Sequence, residues 1–321
     1  MPGKRKFEEQ LAALDALRRQ PRELAVAPLR KALAQLNNFL VGKAADLVLA
    51  LNLPELTPEL LSAFDRFFED AIKTDPQCWA KAAIARALAG FDYQEAEPFL
   101  RGMKHIQMEP SYGGPSDSAG TLRATCALAL VQCRSVREPE LLAHLIELLA
   151  DKDKSVRADA CRAIEQVGSS SAALLLRLRA ALGSDEPEVL GACYSGVLRI
   201  EGAEAIPWVG RFLHPEDDAA AEAALAIASL HSLKGFEVLR DRLESARDPW
   251  FVSALLSAIA LTRQEQAMGF LLNLVRSESL RSEPAIAALL RAAPTEELVR
   301  ELEGLVAGNP RLKRAFGANK P

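Results

Sequence analysis

The side chains best suited to chemistry gather in one stretch rich in Pro and Gly, residues 101–120, which reads RGMKHIQMEPSYGGPSDSAG. It holds two of the four methionines, one of the four histidines and one of the three tyrosines. Arg101, Lys104, His105, Glu109 and Tyr112 set cations, an imidazole, a carboxylate and a phenol close together, a mixture that suits recognition of a polar surface. Long loops carried by a regular scaffold often bind, and a packed loop covering an edge would have the same composition. Met103, His105 and Met108 lack the cysteine or carboxylate partners that a soft metal site needs, so no metal or cofactor is expected.

A second set is periodic. Lys81, Arg123 and Arg157 fall at one position of three successive repeats. They form either a basic stripe for an acidic or phosphate-bearing partner or a ladder in which each cation meets a turn aspartate, with Asp117, Asp151 and Asp153 as candidates. One further position holds Arg86 and Arg162, whose counterparts Leu128, Ser195, Leu225 and Ala258 are less polar. A face that loses polarity along the chain would suit an amphipathic partner helix. Trp79, Trp208 and Trp250 lie in distant repeats, where packing is the expected role.

Enzymatic chemistry finds no support in spacing. His105, His144, His214 and His231 fall in four different units, no nucleophile is paired with a histidine, and Gly113-Gly114 belongs to a turn. CxxC and HExxH patterns are absent, as is a glycine-rich phosphate loop. The chain is expected not to be an enzyme.

The elements that must position these residues are helices. Of 321 residues, 49% are hydrophobic and only 6% aromatic, so the apolar mass is aliphatic, mostly Leu and Ala, which favours helix over strand. Ser155–Val167 sets Val156, Ala160, Ile164 and Val167 on one stripe. The helix of residues 140–150 precedes it across the polar turn DKDKS. Counterparts of Val156 are Ala80, Leu122, Val189, Ala219 and Val252, giving successive spacings of 42, 34, 33, 30 and 33. A helix pair repeating every thirty-odd residues predicts an α-solenoid, and the long spacing marks the insertion at 102–119. Asp75, Asp117, Asp151, Asp185, Asp217 and Asp248 precede the second helices as candidate caps, with Pro76, Pro187 and Pro249 at first turns.

The stretch LLADKDKSVRADACRAI at 148–164 resembles a HEAT repeat, particularly the bacterial kind related to phycobilisome-lyase repeats. Val156-Arg157 keeps the Val-Arg pair typical of that family; Leu122-Arg123 and Ala80-Lys81 approximate it, and the later repeats lose it. The resemblance covers roughly residues 22–307 and implies an all-α, right-handed α-solenoid of about eight antiparallel helix pairs. Capping helices are expected near 4–19 and 295–307. One domain is expected over 1–307, with a flexible basic tail at 308–321.

A net charge of −4 argues against a general nucleic-acid binder. Five widely spaced cysteines inside helical stretches read as buried thiols in a reducing compartment. No apolar run reaches the ~18 residues of a membrane span, and Glu8 and Glu9 interrupt the start, so a cytoplasmic, non-membrane protein is expected, monomeric or weakly dimeric. The expected function is a protein-interaction scaffold that binds through its concave face and the 101–120 loop. Arg101, Lys104, His105, Glu109, Tyr112, Asp117, Lys81, Arg86, Arg123 and Arg157 are its candidate partner-binding residues. The resemblance also leaves open a HEAT-like DNA glycosylase and a helper in prosthetic-group attachment.

Overall fold

Leu- and Ala-rich stripes separated by capped polar turns fold as helices throughout. The computed structural model describes residues 2–292 and 295–320, in two units, Met1–Val167 and Gly168–Pro321.

The first unit opens with α1 (Pro2–Leu17), followed by the pair α2 (Arg22–Leu33) and α3 (Asn38–Ala50). Next come α4 (Thr57–Arg66), the single turn α5 (Ala71–Thr74) and α6 (Trp79–Gly90). After α7 (Glu97–Met103) a two-residue ladder interrupts the helices: β1 (Met108–Glu109) pairs antiparallel with β2 (Ser116–Asp117), Met108 opposite Asp117 and Glu109 opposite Ser116. The unit closes with α8 (Gly120–Leu130), α9 (Glu138–Leu149) and α10 (Lys154–Val167). Helices α3, α6, α8 and α10 stack in that order, each backed by the first helix of its own pair. Their contact faces are built from small side chains. Ala44, Ala45, Ala80, Ala83, Ala87, Ala127 and Ala160 are all buried, and this allows the helix axes to approach closely.

The second unit continues the pattern. It contains α11 (Ser170–Leu182), α12 (Pro187–Glu201), α13 (Ile206–Gly210), α14 (Asp218–Ala228), α15 (Leu233–Ser245), α16 (Pro249–Leu261), α17 (Glu265–Arg276), α18 (Ser282–Arg291), α19 (Glu296–Val306) and α20 (Pro310–Asn319). Helices α12, α14, α16 and α18 stack in sequence. Two of the turn aspartates cap as the spacing predicts: Asp217 accepts from Ala220 N at 2.8 Å, and Asp248 from Trp250 N at 2.9 Å and Phe251 N at 3.0 Å. By contrast, α8 and α12 have Ala119 and Glu186 at the cap position with no side-chain cap, and Asp185 pairs with Arg179 instead.

The closing stretch differs from expectation. The residues read as a flexible tail contain helix α20, packed on α18 with Leu312 and Phe316 buried. Those two apolar residues lie one helical turn apart, and Asn309 caps the helix by accepting from Arg311 N at 3.0 Å. All five cysteines are buried. Among the described residues, no helix is long and apolar enough to cross a membrane.

Candidate binding face of the first unit

The connection into α6 carries unusual backbone. Gln77 (φ 62°, ψ 16°) and Cys78 (φ 53°, ψ 27°) are consecutive left-handed residues, and neither is glycine. Each such residue costs about 1–3 kcal/mol and persists only where its surroundings impose it. Here they do. Asp75 is fully buried. Its Oδ1 accepts from Ala80 N at 2.9 Å and from Asn38 Nδ2 on α3 at 3.0 Å, and its Oδ2 accepts from Lys81 N at 3.0 Å. The ammonium of Lys81, equally buried, lies 3.0 Å from Asp75 Oδ2 and donates to Phe67 O at 3.1 Å.

The insertion supplies the remaining support. Gln107 is 2% exposed and serves as the hub. Its Nε2 donates to Asp75 O at 2.9 Å and to Glu109 Oε1 at 2.6 Å. Its Oε1 accepts from Lys81 Nζ and from Cys78 Sγ, both at 3.2 Å, and lies 3.0 Å from His105 Nε2. Glu109 Oε1 also accepts from Gln77 N and from Ser118 Oγ, each at 2.6 Å. Partial burial pushes the Glu109 carboxyl up, but these three donors and nearby Lys81 outweigh it and hold its pKa below the usual carboxylate range. The hairpin therefore clamps the strained turn from one side.

The basic row is resolved in the same region. Arg123 is buried between Asp117 Oδ2, at 2.6 Å from its Nη1, and Asp151, whose oxygens lie 2.8 Å and 3.1 Å from its Nε and Nη2. Burial opposes the Arg123 charge, and the two carboxylates outweigh it and raise its pKa. Asp117 is lowered: burial raises it, and the Gln107 and Ala119 N–H groups with Arg123 reverse the effect. Arg157 donates to the Asp151 and Lys152 carbonyls at 2.7 Å and 3.0 Å. Lys81 and Arg123, expected as partner-binding residues, are thus corrected. Both side chains are buried rather than presented on the surface, and each pairs with carboxylates of the stack, Lys81 with Asp75 and Arg123 with Asp117 and Asp151.

The other expected residues disperse. Arg101 is exposed, pairs with Asp65 at 2.8 Å and lies 4.0 Å from the Phe68 ring centre. His105 stands edge-on to the same ring at 4.9 Å, and burial lowers its pKa. Lys104 is exposed. Tyr112 is fully exposed at the hairpin tip, beside Gly114 at φ 111°. The tip lies away from the network that Glu109 and Asp117 join.

Trp79, expected to pack inside, is 49% exposed. It lies 5.0 Å from Phe39 of α3, ring centre to ring centre, and the two rings border a groove of about 400 Å³ between α3 and α6. Gly42, Ala82 and Ala83 are among its small lining residues, and Lys43, Asp46 and Arg86 its charged ones. Gly42 brings the two helices close there: a Cβ built on it would lie 3.4 Å from Trp79 O, already in van der Waals contact. Arg86 pairs across the helices with Asp46 at 3.2 Å. Sequence reasoning missed Phe39, Lys43, Asp75 as a buried anchor, and Gln107. Only Gly42, inside a helical stripe, carried a local signal of close approach.

Among the described residues, no group of three or more His, Cys, Asp or Glu side chains is placed to hold a metal ion. Burial pushes the Cys78 thiol to about 11, so it stays protonated near neutral pH and is a poor nucleophile. What the face offers is rigid shape and surface charge.

Residues 142–230 match the family of HEAT repeats. The match runs from α9 through α14, and with the stacked helix pairs it supports the HEAT-repeat superfamily. The narrower tie to phycobilisome-lyase repeats receives no support. No curated protein matches the chain. HEAT repeats are commonly protein-interaction scaffolds and usually non-enzymatic. The α3–α6 groove lies in helix pairs that precede the matched HEAT segment.

Proposed function

We propose that this chain is a non-catalytic adaptor that binds a protein partner in the groove between α3 and α6. One observation carries the reading: a buried hydrogen-bond network holds two left-handed residues in place, and the residue that follows them is a half-exposed tryptophan at the groove wall. Strain of this kind concentrates at functional sites, and tryptophan is the residue most enriched among interface anchors. The 101–120 insertion acts in this reading as a buttress beneath the turn, through Gln107 and Glu109, while Arg86 contributes to the binding face itself. The five buried thiols agree with a cytoplasmic site of action.

The test compares affinity capture by the intact chain and by its Trp79→Ala, Trp250→Ala and Tyr112→Ala variants. Trp250 is 51% exposed in the second unit and serves as a matched control. A protein bound by wild type, Trp250→Ala and Tyr112→Ala but lost from Trp79→Ala is the expected result. Retention by Trp79→Ala would place the partner elsewhere.

A further inference from the structure

We infer that the groove between α3 and α6 takes an acidic segment of a partner protein that carries an aromatic side chain; this rests on the adaptor reading and specifies its ligand. Of the ten residues that line the groove, Lys43 and Arg86 are cations and Asp46 is the single carboxylate. The lining is therefore net positive in a chain whose net charge is −4. Lys43 is exposed, lies 5.8 Å from the Phe39 ring centre and makes no ion pair among the described residues. Arg86 and Asp46 are both about two-fifths exposed, so an incoming carboxylate can share the guanidinium at little cost.

Shape supplies the second half. Phe39 and Trp79 are tilted by 42° to each other, and Phe39 meets Phe7 of α1 at 5.8 Å. Such rings accept a further aromatic edge-on or offset. Gly42, Ala82 and Ala83 add little bulk to the lining, and the groove keeps about 400 Å³, within the range of pockets that bury small ligands. An aromatic side chain seats against Trp79, and acidic neighbours in its own chain reach Lys43 and Arg86. Nucleic acid fits less well. Two cations beside a carboxylate neutralise few phosphates, and phosphate neutralisation supplies most of that affinity.

The experiment uses the full-length protein and three short fluorescein-labelled peptides: glutamates flanking one phenylalanine, the same peptide with alanine for phenylalanine, and the same with lysines for glutamates. Fluorescence anisotropy at low salt is expected to show binding of the first peptide alone. Affinity should fall about tenfold in Lys43→Glu/Arg86→Glu and in Trp79→Ala, and fall with added salt as exposed charges are screened. The charge-reversed protein should gain affinity for the lysine peptide. Unchanged unfolding midpoints in both variants would show that the fold is intact. Equal binding of all three peptides overturns the inference, as does a labelled single-stranded DNA that binds the wild type and is lost from Trp79→Ala. Self-association abolished by Trp79→Ala also overturns it, since the occupant would then be a second copy. If no peptide binds while Trp79 still governs capture of a cellular partner, the ligand chemistry is wrong and the adaptor reading survives. If Trp79 governs neither, both fail.

Discussion

Gln77 and Glu109, 32 positions apart, are joined by a 2.6 Å hydrogen bond from the Gln77 N–H to the Glu109 carboxylate. It ties the inserted hairpin to the left-handed turn that precedes Trp79. The insertion thus has a structural task that its composition does not reveal.

Glu109→Ala leaves the Gln77 N–H, the Gln107 amide and the Ser118 hydroxyl without their shared acceptor. The Gln107 amide keeps Asp75 O and the Ser118 hydroxyl keeps Gln107 O, so the loss centres on the Gln77 N–H and is expected to be about 1 kcal/mol. The denaturation midpoint should drop accordingly, and tryptophan emission should shift as Trp79 loosens. An unchanged midpoint and spectrum would show that the hairpin does not hold the turn.

Lys81→Met removes the cation facing Asp75 at full burial. Breaking a buried pair from one side costs about 3–5 kcal/mol, so urea unfolding should show a large loss. Arg86→Met breaks an exposed pair, and a loss below about 1 kcal/mol is expected. Similar losses in the two variants would contradict the assignment of Lys81 to the interior.

Gly102→Ala places a Cβ 2.3 Å from Cys126 Sγ, where α7 meets α8. Overpacking of this kind costs about 1–3 kcal/mol. Adding Cys126→Ala should recover much of that loss, a non-additivity that a double-mutant cycle measures directly.

Acid should weaken the fold in two stages. His105, Glu109 and Asp117 all have folded pKa values below their ordinary values of 6.5, 4.5 and 3.8. The unfolded chain then binds the protons more readily, so stability is complete above each ordinary value and is lost as pH falls through the folded one. Midpoints measured against pH should decline first below about 6.5 and further below about 4.5. His105→Phe should flatten the upper decline, and Glu109→Gln the lower one.

Asp248→Ala removes the acceptor for Trp250 N and Phe251 N at the start of α16. The expected loss is about 1 kcal/mol, read from the unfolding midpoint. Asp248→Ser should restore most of it, because a serine hydroxyl caps in the same way.

Much of the architecture was legible in the residues. Val156, Ala160 and Ile164 lie buried on the stripe that their spacing predicts, and Asp217 and Asp248 cap the helices they precede. The match of Arg123 with Asp117 and Asp151 was visible as one of two alternatives. These features are local or periodic, so spacing reports them directly. Helix α20 was missed because its polar residues hide a single pair of apolar anchors, Leu312 and Phe316.

The candidate site was far less legible. Periodicity says which face of α6 turns inward; it does not say that Lys81 is buried with Asp75, or that Trp79 at the start of the helix stays half in solvent. Gln107 is one glutamine in an irregular segment, and only folding brings it to Asp75 and Lys81, 32 and 26 positions away. The sequence by itself determined the helices, their repeat and the position of the insertion, because hydrophobic spacing and capping act within a few residues. Only the tertiary structure decided which charges neutralise one another inside, which aromatic faces solvent, and what the insertion supports. Those outcomes depend on desolvation and on hydrogen bonds between distant segments, and neither exists until the helices stack.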